Sequence, residues 1–197
     1  MGEPRVRPAT LRDVLVVEPE PIHDDRGFFV RTFDAATLRA AGVDPTAFVQ
    51  ENQSRSRRGT LRGLHGRSRL EESKLVRCAR GSIFEVVVDL RPWSETFGQW
   101  EGFTLDDDEH RQVYVPAGCV HGFLALSDEA DVCYHHDAVY DPTLEIAVRW
   151  DDVDLGIDWP ERTPSLSPRD RDAPALADVR DRLGDWYGTT APEQHDA

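Results

Sequence analysis

Cysteine is scarce in this chain, lysine and methionine are almost absent, and basic residues are outnumbered. Of its 197 residues three are cysteines (Cys78, Cys119 and Cys133), one is methionine and one is lysine. An odd number of cysteines with no CxxC spacing excludes a disulfide framework and a zinc ribbon, and it points to a reducing cytoplasm. No apolar run approaches the about 18 residues that a membrane span needs. The start, Met1-Gly2-Glu3-Pro4-Arg5, lacks the basic and then apolar regions of a secretory signal. No repeat period or low-complexity block is present, which removes solenoids and linkers. With 23 basic against 37 acidic side chains the net charge is −14. Such a surface does not suit nucleic acid or an anionic membrane as main partner, because both need a broad surplus of Lys and Arg.

What is present can build a core: 39% of residues are apolar and 9% aromatic, well outside the disordered regime. The length suits one domain, taken as residues 1–187, with 188–197 a frayed tail. From Arg5 to Trp150, short apolar runs alternate with glycine, proline and acidic turns, the pattern of an all-β sandwich or barrel. The clearest strands are Leu75–Ala79, Ile83–Leu90, Gly98–Leu105, Arg111–Val115, Gly122–Leu126, Val132–Tyr134 and Ile146–Trp150, with a tight turn at Arg80-Gly81. In Ile83–Leu90 the β-branched and aromatic character is nearly continuous, so both faces are expected to be covered. Asp34–Ala41 reads as a short helix with Asp34 as N-cap and Gly42 closing it. Ala175–Leu183 reads as a C-terminal helix.

The charge is uneven. Ser54–Arg80 holds nine basic and two acidic side chains, one basic segment in an acidic chain. Polar residues crowd into Gln50-Glu51-Asn52-Gln53-Ser54 and into Gly59-Thr60-Leu61-Arg62-Gly63-Leu64-His65-Gly66. There Arg62 offers a planar fork suited to phosphate, and His65 is a candidate base. A solvated loop with surface arginines and a hydrogen-bonded histidine fits the same residues. A second cluster, Val115-Pro116-Ala117-Gly118-Cys119-Val120-His121-Gly122, has the PxGxxH spacing and resembles the second motif of the cupins, whose turn delivers a histidine into a barrel. Many cupins hold a transition metal with that histidine, a preceding HxH and a glutamate. Here Gly66-Arg67 follows His65, and the adjacent His135 and His136 point to opposite faces of a strand. No metal and no other cofactor is therefore expected.

In their order the fragments Asp25-Arg26-Gly27-Phe28-Phe29, Gln50–Ser54, Gly59–His65, Lys74-Leu75-Val76-Arg77, Phe84–Asp89, Val115–Gly118 with His121-Gly122-Phe123, Tyr134, Tyr140, Leu155–Pro160 and Ser165–Asp170 resemble the dTDP-4-dehydrorhamnose 3,5-epimerase family. The resemblance spans about Val16 to Pro174. It implies a cupin double-stranded β-helix, that is, a jelly-roll barrel, with short flanking helices and a C-terminal helix. It also implies epimerisation of a nucleoside-diphosphate 4-keto-6-deoxyhexose, dTDP-linked or otherwise, in deoxysugar biosynthesis.

By the same resemblance His65 is the base, Asp170 completes a dyad with it, Tyr134 is the opposing acid, and Lys74 approaches the C4 oxygen. Arg62 and Arg169 are diphosphate ligands, and Gln50, Asn52 and Tyr140 are base-side or sugar-side contacts. Arg26 and Phe29 reach a nucleotide in the neighbouring subunit, which implies a homodimer. His121 either polarises the region of the C4 oxygen or hydrogen-bonds Glu85. Trp150 and Trp159 are packing residues.

Departures from the pattern are Arg31 where the family often has glutamate, Gly66-Arg67 where an aromatic and a glutamine usually follow the histidine, and Glu85 in place of aspartate. They leave open the nucleotide, the sugar, and inversion at C3, C5 or both. A metal-dependent cupin isomerase or dioxygenase and a non-catalytic sugar-nucleotide-binding cupin are the alternatives.

Overall fold

The computed structural model describes residues 2–192; the tail expected to fray lies outside the described residues from 193 onward. The chain forms β1 (Arg5–Pro8), β2 (Leu15–Glu18), β3 (Ile22–Asp24), β4 (Gly27–Phe29), α1 (Ala35–Ala40), β5 (Gln50–Arg57), β6 (Leu61–Arg67), β7 (Lys74–Arg80), β8 (Ser82–Asp89), β9 (Trp100–Asp106), β10 (Gln112–Val115), β11 (Cys119–Ala125), β12 (Glu129–His136), β13 (Glu145–Ala147), α2 (Pro168–Arg171), α3 (Leu176–Val179) and α4 (Leu183–Tyr187). Two antiparallel sheets face each other, one ordered β1-β2-β10-β7-β12-β5 and the other β13-β6-β11-β8-β9; β3 and β4 form a separate hairpin. This is the expected all-β jelly roll with short flanking helices.

Each of the seven expected strands is found, with ends displaced by up to three residues. The turn at Arg80-Gly81 is tight, with Gly81 at φ +77°, and it carries the chain from one sheet to the other. The alternation of β8 explains its continuous hydrophobicity. Ile83 and Val87 pack between the sheets with Val76, Val113, Phe123 and Val132. Val86 and Val88 pack on the outer face under Trp159, Leu176, Val179, Leu183 and Tyr187. Both faces are covered, and burying each such side chain stabilises the fold by roughly 1.5–3 kcal/mol. Trp150 and Trp159 belong to the outer cluster, where the Trp159 indole donates to the Trp150 carbonyl at 2.8 Å.

Helix α1 starts as expected, the Asp34 carboxylate accepting from the Thr37 amide at 2.8 Å, and Gly42 follows at φ +83°. The C-terminal helix differs from expectation. It is broken by a 3-10 turn at Arg180–Arg182 and runs on to Tyr187. Leu176, Val179, Leu183 and Tyr187 are all buried, so the apolar spacing that holds this segment to the sheet extends one turn past Leu183.

Of the two polar stretches that also read as solvated loops, Gln50–Ser54 lies within β5, and Gly59–His65 enters β6 at Leu61. Strand β5 pairs with β12 in register from Gln50 opposite His136 to Arg57 opposite Glu129. Strand β6 pairs with β11 and β13. Their polar side chains line a cavity, so the hydrophobic alternation that announces a strand is missing from them.

Candidate active site

A cavity of about 390 Å³ opens between the two sheets, with β6 and β11 on one wall and β7, β12 and β5 on the other. It collects nine of the twelve residues singled out in the sequence: Asn52, Arg62, His65, Lys74, His121, Tyr134, Tyr140, Arg169 and Asp170. Gln50 borders it, accepting from the Tyr140 backbone amide at 3.1 Å and donating to Asn52 Oδ1 at 3.3 Å. Arg26 and Phe29 stand apart on the β3–β4 hairpin, their side chains in solvent. Arg31 is also outside the cavity and bonds the α1 cap Asp34 at 2.6 Å.

A bulge makes β6 a site strand. Residues three apart on a regular strand point to opposite faces, yet Arg62 and His65 both face the cavity. Opposite β11, Phe123 pairs with Arg62 and His121 with His65, so three steps on one strand match two on the other. The extra residue reverses the facing. Gly63 at φ +132° carries the bulge. A Cβ on it would lie 2.5 Å from the Gly122 Cα, so this crossing requires glycine on both strands.

The His65 Nε2–H donates to Asp170 Oδ1 at 2.5 Å. Asp170 is buried at the start of α2, and its other oxygen accepts from Ser167 at 2.8 Å. Burial raises the Asp170 pKa, but the bonds from His65 and Ser167 outweigh it and hold the carboxyl below its ordinary value. Opposite His65 on β11, His121 Nδ1 lies 2.6 Å from Glu85 Oε1. Glu85 is fully buried, and this pushes its pKa well above the carboxylate range against the opposing pull of Lys74. Burial, then Lys74 and His65, push His121 well below the ordinary imidazole value. This dyad is therefore neutral: the Glu85 hydroxyl donates to Nδ1, and Nε2–H remains as a donor. His121 both bonds Glu85 and lines the cavity.

On the facing sheet the Tyr134 hydroxyl lies 3.0 Å from the Ser54 hydroxyl. Burial raises the phenol pKa, so it stays protonated at neutral pH. Lys74 and His136 are cross-strand partners and both contact Glu72, Lys74 Nζ at 2.9 Å and His136 Nδ1 at 3.1 Å. His135 turns to the other face, 5.5 Å from the Phe33 ring. Arg62 bonds Ser56 at 3.0 Å, and Arg169 bonds Glu145 at 2.5 Å.

Seven residues of the cavity lining are not among those twelve: Gly66, Arg67, Glu72, Phe123, His136, Glu145 and Ser167. Strand parity points to two of them, each two positions from a named residue on the same strand: Arg67 from His65 on β6 and His136 from Tyr134 on β12; Glu72 lies in the loop just before β7. Ser167 caps α2 three residues before Asp170, the spacing of a helix N-terminus. Among the described residues no group of three or more His, Cys, Asp or Glu is arranged to hold a metal ion.

The cavity thus holds a histidine with an ionised carboxylate on one sheet, a protonated phenol and an ammonium on the other, and arginines at its mouth. Such a set can remove a proton from one face of a bound molecule, return one to the other, and stabilise negative charge between. Known proteins share the fold and the sequence. A dTDP-4-dehydrorhamnose 3,5-epimerase of Methanothermobacter thermautotrophicus is 46% identical over 81% of this chain and 86% of its own. A dTDP-4-dehydrorhamnose 3-epimerase of Streptomyces niveus is 45% identical over 90% of this chain and 86% of its own. The crystal structure of a 4-keto-6-deoxy sugar epimerase from the novobiocin gene cluster of Streptomyces spheroides superposes with a TM-score of 0.87 at 42% identity, covering 96% of this chain and 94% of that one. The family model for dTDP-4-dehydrorhamnose 3,5-epimerase matches residues 8–178, and the chain belongs to that family.

Proposed function

We propose that this chain epimerises a dTDP-linked 4-keto-6-deoxyhexose at C3, C5 or both, in deoxysugar biosynthesis, with no cofactor. One observation carries the reading: His65 and Tyr134 stand on opposite sheets across a single cavity whose opening carries Arg62 and Arg169.

A ketone at C4 acidifies the hydrogens at C3 and C5. With Nε2–H held by Asp170, the lone pair of His65 Nδ1 is the base. It takes the proton from one carbon, and the electron pair moves to the C4 oxygen as an enolate. The Lys74 ammonium and the His121 Nε2–H stabilise that oxygen, a compact point charge and a neutral donor. Tyr134 then gives its proton to the other face of the same carbon. Solvent restores both groups, and Asp170 offsets the charge of the imidazolium. Arg62 and Arg169 hold the diphosphate, while Gln50, Asn52 and Tyr140 line the nucleotide and sugar path.

The chain acts as a homodimer in which the β3–β4 hairpin brings Arg26 and Phe29 to the neighbouring subunit's nucleotide. Phe28 and Phe29, 54% and 64% exposed, support this reading. A cytoplasmic location suits its three free, buried cysteines. Incubation with dTDP-4-keto-6-deoxyglucose in deuterated water tests the activity by label at C3 or C5, and the solution mass of Phe29→Asp tests the dimer.

A further inference from the structure

Lys74 is the one lysine of the chain, and its side chain is buried in a cavity crowded with other cations and imidazoles. Glu72 aside, the other titratable and charged groups of the cavity and its floor are Arg62, His65 and Arg67 from β6, His121 from β11, Glu85 from β8, Tyr134 and His136 from β12, Tyr140, Glu145 from β13, and Arg169 and Asp170 from α2. Glu85 and Tyr134 are held protonated by burial, while Asp170 is bonded to His65 and Ser167 and Glu145 to Arg169, so none of these carboxyl groups is paired with Lys74. An ammonium buried in such company loses its proton unless an anion compensates.

That anion is Glu72. Its Oε2 accepts from Lys74 Nζ at 2.9 Å. Its Oε1 lies 3.1 Å from His136 Nδ1 and 3.8 Å from Arg67 Nε. Glu72, Lys74 and Arg67 are each less than a tenth exposed at the side chain. We propose that Glu72 is a positioning residue for the reaction: it keeps Lys74 charged and aimed at the C4 oxygen, with His136 as its second anchor. The inference rests on the role given to Lys74 above.

Burial raises the Glu72 pKa, but the bond from His136 and the charge and bond of Lys74 outweigh it and bring it to about 2. The carboxylate is thus ionised wherever the enzyme works. It does not cancel the ammonium for the substrate. Lys74 donates one of its three N–H groups to Glu72 and keeps two, and the charge of Glu72 is shared with His136 and Arg67.

The test uses the single lysine. Protein labelled with ¹⁵N-lysine gives one side-chain signal, so the protonation of Lys74 is read directly, without substrate. In Glu72→Gln that signal titrates at lower pH than in the wild-type chain, and the alkaline limb of kcat/KM moves down with it. At neutral pH kcat falls about tenfold, less than the about 10²- to 10³-fold cost of losing an oxyanion donor outright, and KM changes little. Glu72→Asp, which keeps the charge but loses reach, shifts both readouts less in the same direction, and it carries the test if Glu72→Gln does not fold. Glu71→Gln, one residue away on an exposed side chain paired with Arg69, changes neither. A lysine signal that titrates identically in wild type and the Glu72 variants overturns the proposal. A shifted lysine signal with an unmoved rate profile upholds the contact but refutes the role of Lys74 in turnover.

Discussion

His65 and His121 are cross-strand partners on β6 and β11, and each is hydrogen-bonded to a carboxyl group of opposite ionisation, Asp170 below its ordinary pKa and Glu85 well above it. Two histidine–carboxyl dyads are thus set apart: hydrogen bonds from His65 and Ser167 outweigh burial at Asp170, whereas burial prevails at Glu85. In the proposed reaction the first accepts a proton and is then an ion pair, and the second stays neutral and donates a hydrogen bond.

Glu85 also sets a pH dependence of stability. Its folded pKa is raised, so the stability it contributes is complete below the unfolded value of about 4.3 and is lost as pH rises through the folded one. Glutamine is the neutral isostere of the protonated form and still donates to His121 Nδ1. Glu85→Gln is expected to leave the melting temperature nearly unchanged at pH 4 and to raise it at pH 8 by at least about 2 °C. A lower melting temperature for the variant at pH 8 contradicts a neutral Glu85.

Asp170 acts in the opposite sense. Its folded pKa is lowered, so its contribution is present above the unfolded value of about 3.9 and is lost as pH falls. In Asp170→Asn the amide no longer fixes the Nε2–H tautomer or offsets the imidazolium. A fall in kcat of about 10²- to 10⁴-fold is expected, with unchanged affinity for dTDP by calorimetry.

Tyr134→Phe separates the two proton transfers. His65 still removes a proton, but the opposite face has no donor, so the enolate is reprotonated from the side it left. Deuterium then enters the substrate without inversion, while epimer formation falls by about 10²- to 10⁴-fold. Mass spectrometry together with NMR of the recovered sugar distinguishes this from a general loss of activity.

Gly63→Ala tests the bulge. The added Cβ meets the Gly122 Cα at 2.5 Å in a backbone of φ +132°. The backbone conformation alone costs about 1–3 kcal/mol for a non-glycine residue. A lower melting temperature and loss of turnover are expected together, because relief of the clash by straightening β6 turns either Arg62 or His65 out of the cavity.

Much of this was legible in the sequence, and the rest was hidden for physical reasons. Strands such as β8 announce themselves because both faces are buried and β-branched. Strands β5 and β6 do not, because their inward residues are the polar lining of the cavity. The resemblance pointed to His65, Lys74, Tyr134 and Asp170, whereas Arg67 and His136 needed strand parity, visible only once their segments are known to be strands, and Glu72 lies in the loop before β7, where no periodicity points to it. The facing of Arg62 with His65 was beyond reach, since it depends on a one-residue bulge against β11.

The central claim is that His65 and Tyr134 move protons at the carbons beside a C4 ketone. Its most direct test is incubation with dTDP-4-keto-6-deoxyglucose in deuterated water, followed by NMR of the sugar. The account predicts deuterium at C3, at C5, or at both, and none in His65→Asn. Substrate that binds the wild-type protein and acquires no deuterium at either carbon would contradict it.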